Sequence, residues 1–192
     1  MTVAFSEVDD EHVRNSFLEV LQRYTALHPF EILLKQESVK SSTMQAQPII
    51  KPANLFSKEQ KYQVKLAVNL KDSQGLKVAD LPEDVLKGWF AHELGHIVDY
   101  LPYTKFQMIG YGLKYLYWPK FKKESEHTAD HLAIAHGFHE EIISTKRYIL
   151  EHDLLKERYK DIIRKYYLSI EEVKLCMAGK LKLKPAIQQI YS

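Results

Sequence analysis

A chain of 192 residues with 45% hydrophobic and 27% charged side chains is long enough for one domain with a sizeable core. Its 27 basic and 25 acidic residues leave a formal charge of +2, which gives nucleic acid no electrostatic handle. The one cysteine, Cys176, excludes an internal disulfide and any site built from several thiolates.

The first residues, Met1 to Glu7, carry neither a basic stretch nor a long apolar run, so no signal peptide is expected and the expected location is cytoplasmic. Asp9 or Asp10 can cap a helix reaching about Leu27, because Val13, Phe17, Val20, Leu21 and Tyr24 recur at helical spacing and Pro29 follows. Between Phe30 and Leu70 the period shortens. Ile32 and Leu34 alternate with Leu33 and Lys35, and Met44 to Ile50 is a short run interrupted by Pro48. Tyr62, Val64, Leu66 and Val68 alternate with Gln63, Lys65, Ala67 and Asn69, which makes 62–70 the clearest strand. Residues 72–75 read as a turn.

Asp80, with Pro82 and with Glu83 three residues on, resembles a capped helix start. Val85, Trp89, Phe90, Leu94, Ile97, Val98 and Leu101 then form one broad apolar stripe, and Pro102 ends the helix. Further helical segments are expected over 105–117, 122–136 with Gly137 as a stop, 140–152 and 153–166, and a last one is capped by Ser169 with Glu172. Phe106 to Trp118 is the most apolar stretch, but Lys114 interrupts it and it is too short to span a membrane. Its aromatic residues are expected mostly in the core, a substrate pocket being the sharper alternative, and contact with a membrane surface is compatible with them. Cys176, between Val173, Leu175 and Met177, reads as a packed, inert thiol of a reducing compartment. The basic tail 180–185 reads as a solvated edge or docking tail. The expected fold is a single α+β domain over 1–192. A small mixed sheet and the helix 80–101 lie in about 1–101, and a mostly helical part follows in about 102–192.

That helix carries His92-Glu93-Leu94-Gly95-His96, an H-E-x-x-H pattern. Residues i and i+4 share a helix face, so both imidazoles can meet one metal ion, with Glu93 placed to reach a water on it. A catalytic zinc takes three protein ligands and keeps one position open. The metzincin pattern would put its third histidine and its glycine where Pro102 and Asp99 stand, so that branch is excluded. Downstream, Glu126 and Asp130 are i and i+4 on another expected helix. Glu126 can supply a third ligand, and Asp130 can accept the ring N–H of a ligand histidine. Glu124 is the weaker choice, since Thr128 stands four residues on.

With H-E-x-x-H on one helix and E-x-x-x-D on the next, residues 62–136 resemble the gluzincin zinc metallopeptidases. The resemblance implies a zincin-like fold, one Zn2+ per chain held by His92, His96 and Glu126, and Asp130 behind a ligand imidazole. It also implies Glu93 as general base in hydrolysis of a peptide or protein substrate, and an edge strand, here expected at 62–70, that pairs with the substrate backbone. His127, His131, Tyr103 and Tyr166 are candidate oxyanion donors on the same comparison. Asp99 reads either as a partner of the histidines or as a helix-end acid, and His127, His131, His136 and His139 read as solvated or packing residues. Two other classes compete with a hydrolase. A zincin-like binding or sensing module would use the metal for stability alone. A ferritin-like di-iron protein would use the pairs Glu93-x-x-His96 and Glu124-x-x-His127.

Overall fold

The chain opens on a strand that its alternation does not announce. In the computed structural model, which describes residues 1–37, 42–57 and 59–181, β1 (Thr2–Ser6) lies parallel to β2 (Glu31–Gln36). Between them runs α1 (Glu11–Arg23), capped by Asp10, whose carboxylate accepts the Val13 N–H at 3.0 Å. A 3-10 turn, Thr25–Leu27, completes the stretch expected as helix. β3 (Met44–Pro48) and β4 (Lys61–Leu66) finish a mixed sheet of order β1-β2-β4-β3, in which β3 alone is antiparallel.

The order corrects one expectation. The strand beginning near Tyr62 is interior, paired on both sides, and ends at Leu66; β3 forms the edge beside it and β1 the other edge. Pro48 fits an edge position, because a proline has no N–H for a ladder.

The motif helix α2 (Glu83–Tyr100) begins after Pro82. Proline disfavours helical backbone in the residue before it, and Leu81 is extended at φ −70°, ψ 144°. Asp80 therefore sits in a separate 3-10 turn, and the expected pairing with Glu83 does not cap the helix. Fourteen of the 18 residues of α2 are buried, so it lies inside the molecule rather than presenting one stripe to it. It packs against α1, β3 and β4, and also against α4 (Pro119–Ala135) and α5 (His139–Glu151). Phe17 meets Phe90 edge-on at 5.2 Å, and the buried Tyr24 hydroxyl donates to the Ala91 carbonyl at 2.6 Å.

The remaining helices are α3 (Lys105–Tyr117), α6 (Glu157–Tyr166) and α7 (Ile170–Met177). α4 starts earlier than expected because Pro119 suits a first helical turn, where its missing N–H goes unused. α6 starts later, the residues before it forming a turn. Ser169 and Glu172 form the expected reciprocal cap of α7, with bonds of 3.2 and 2.7 Å. The architecture is α+β, and no helix among the described residues is long and apolar enough to cross a membrane. Positions 182–185 of the basic tail lie outside the described residues.

Candidate metal centre

Two backbone contacts position the site. Gly88 of α2 lies against the Glu141 carbonyl of α5, and Gly95 lies against α4, where an added Cβ would stand 2.6 Å from the Ala129 carbonyl oxygen. The absence of a side chain at Gly95 lets α2 and α4 approach closely enough for Glu126 to reach the histidines. Gly95→Ala is expected to push the helices apart, costing about 1–3 kcal/mol in chemical denaturation and weakening metal binding. An unchanged unfolding midpoint and metal affinity would show that α4 accommodates the methyl group.

His92, His96 and Glu126, all buried, converge on one point. Glu126 Oε2 stands 3.0 Å from His92 Nε2 and 3.3 Å from His96 Nε2. Ligands about 2.0–2.1 Å from a tetrahedral ion lie roughly 3.3 Å apart, so the spacing suits one small cation. On the other side of His92, Nδ1 lies 2.9 Å from Asp130 Oδ1. The expected ligand triad and the expected partner of a ligand ring are thus brought together, and the group could hold a metal ion.

The electrostatics fit that role. Burial opposes a charge on His92, but the Asp130 and Glu126 carboxylates outweigh it and hold the imidazolium up to about 10. Burial raises Glu126 as well, yet the two histidines win and hold its carboxyl well below the usual range. Both shifts favour an imidazolium–carboxylate pairing at the point where a cation would fit. Glu93 is also buried, and burial pushes its carboxyl up. Its Oε2 accepts the Ala46 N–H of β3 at 2.6 Å.

Glu93, His96 and Glu126 line a cleft of about 480 Å³ together with residues of β3. The size is ordinary for a ligand site. Tyr100, Tyr111, Tyr115, Tyr159 and Tyr167 also line it, whereas Tyr103, Tyr166, His127 and His131 do not. Tyr103 packs edge-on to Tyr111, Tyr166 lies under Lys122 and Lys165, and His131 stands 3.7 Å from Cys176 Sγ. Burial pushes the Cys176 thiol up, but the residue is only half-buried, and Leu175 and Met177, expected to pack around it, are exposed. His136 stacks on Tyr24 as a packing residue. Asp99 accepts the Tyr111 hydroxyl at 2.7 Å, which gives this acid a partner other than His96.

Sequence reasoning missed two contacts. Lys146 of α5 is buried and bonds Asp130 Oδ2 at 2.8 Å; its signal was a lysine on the face shared by Ile142 and Ile149. Tyr115 donates its hydroxyl to Glu126 Oε1, the oxygen not aimed at the histidines. Glu124 is exposed, and among the described residues the His92–His96–Glu126 group is the one metal-suited cluster, so two paired E-x-x-H sites are not assembled. Comparison with family models, with curated proteins and with solved structures found no match.

Proposed function

We propose that the protein is a zinc-dependent peptidase with a zincin-like, gluzincin-type site. The observation that carries this reading is the convergence of His92, His96 and Glu126 on one point, with His96 and Glu126 at the wall of a cleft that also holds the Glu93 carboxyl beside the edge strand β3. Zinc held by these three residues would acidify a water and polarise a carbonyl. Glu93 accepts the proton of the attacking water and passes it to the leaving amine, a task suited to a carboxyl whose pKa burial has raised. Asp130 fixes the His92 ring with Nε2 toward the site. β3 offers its edge to an extended peptide by strand addition. Tyr167 lies with its ring 5.1 Å from that of His92 and is the donor we assign to the developing oxyanion.

The Glu93–Ala46 hydrogen bond supports a second reading, a metal-binding or sensing module, because it gives Glu93 a structural task. Both readings require the metal. Purified protein is expected to hold one zinc per chain, which Glu126→Ala removes. Because His92 is protonated up to about pH 10 without metal, binding displaces that proton. Zinc affinity should then rise about tenfold per pH unit from roughly pH 6 to 9, as competition titrations would report. The peptidase reading further expects cleavage of a broad peptide library. Two irons per chain, or pH-independent binding at another site, would overturn the assignment.

A further inference from the structure

α3 is apolar on both sides. Its inward residues Met108, Tyr111 and Tyr115 face the cleft, while Phe106, Ile109, Leu113 and Tyr117 fall on the opposite arc at helical spacing, with Leu116 between the two at the rim of the cleft. These four and Leu116 are between 47% and 78% exposed, far from the polar outer face a soluble helix normally shows. The patch is extended at both ends. Buried Lys105 donates to the Asn54 and Ser57 carbonyls at 2.5 and 2.9 Å, tying down the loop whose Phe56, 87% exposed, packs on Phe106 at 5.8 Å. At the other end Trp118 is 63% exposed. Contiguous apolar surface of this kind marks an interaction site.

Charge decides the occupant. From Tyr100 to Lys123 the chain contains five lysines and neither aspartate nor glutamate. Lys114, Lys120 and Lys123 are exposed on or just after α3. Leucine, isoleucine and aromatic side chains on one arc, with tryptophan, tyrosine and lysine at its border, suit the plane between lipid headgroups and acyl chains. A second copy meeting this face symmetrically would set lysines against their own counterparts. We propose that the outer face of α3, with Phe56 and Trp118, docks the protein on an anionic lipid bilayer. The inner face of the same helix lines the cleft, so docking brings the cleft to the membrane surface whether or not the peptidase reading holds.

Co-sedimentation with phosphatidylcholine vesicles, with and without phosphatidylserine, tests the proposal. The full chain should bind the phosphatidylserine vesicles, with a blue shift in tryptophan emission that Trp118→Phe abolishes; Trp89, the other tryptophan, is buried. Ile109→Glu with Leu113→Glu should weaken binding by about tenfold or more, and Lys114→Gln, Lys120→Gln and Lys123→Gln together should lower it on anionic vesicles alone. Circular dichroism checks that these surface variants stay folded. Failure to bind either vesicle overturns the proposal, as does binding indifferent to the glutamates. A dimer in solution that the glutamates dissolve, without vesicle binding, assigns the face to a second copy instead.

Discussion

Glu93→Gln is expected to lower peptide hydrolysis by about 10²–10⁴-fold while zinc stays at one per chain. Glutamine keeps the shape of the side chain, and its carbonyl oxygen can still accept the Ala46 N–H, so the contact to β3 survives. It cannot take a proton from water. Zinc content and hydrolysis, measured on the same preparation, therefore separate the two readings. A variant that retains zinc and loses hydrolysis rejects the sensing module. Hydrolysis at the wild-type level removes Glu93 from the reaction, and loss of zinc would make it a ligand.

Asp130→Ala should have the largest effect on stability. The buried Asp130 carboxylate lies 2.9 Å from His92 Nδ1 and accepts from Lys146 Nζ at 2.8 Å and from the Leu168 N–H at 2.9 Å. Removing it strands a buried ammonium, a change that typically costs about 3–5 kcal/mol. It also frees the His92 ring, so zinc affinity should drop about 10–100-fold. Adding Lys146→Met removes the stranded charge and should restore much of the stability but none of the affinity. Equal stability of the single and double variants would mean that the ion pair contributes nothing.

The pH dependence of that cost has a definite sign. Burial raises the Asp130 carboxyl, but Lys146 and His92 more than offset it and hold the group well below the usual carboxylate range. A depressed pKa stabilises the fold above the unfolded value near 4, and the contribution fades as pH falls below it. Urea denaturation should show the gap between wild type and Asp130→Ala narrowing between about pH 5 and pH 2.

Much of the site was legible because it is local. His92, Glu93 and His96 are set by helical spacing alone, and Glu126 with Asp130 repeats the i, i+4 relation on the next long helix but one. What joins the two helices was less visible. Spacing does not mark Gly95 as a contact, and only packing shows that it admits the Ala129 carbonyl. The edge position of β3 depends on strand order, which alternation does not encode; β4, buried on both flanks, has the stronger pattern for that reason. β1 has a single parallel neighbour and five residues, too few to declare a period. The aromatic run of α3 divides by helical phase: Tyr111 and Tyr115 turn inward, whereas Phe106, Tyr117 and Trp118, expected in the core, are exposed.

The bond between Glu93 and Ala46 joins two kinds of order. Successive N–H groups along a strand point to opposite edges, so a shift of β3 by one residue along β4 would turn the Ala46 donor away from α2. The same shift would move whatever backbone pairs along the free edge. Strand register, ordinarily a property of folding, here also becomes a condition on where the Glu93 carboxylate stands relative to the free edge of the sheet.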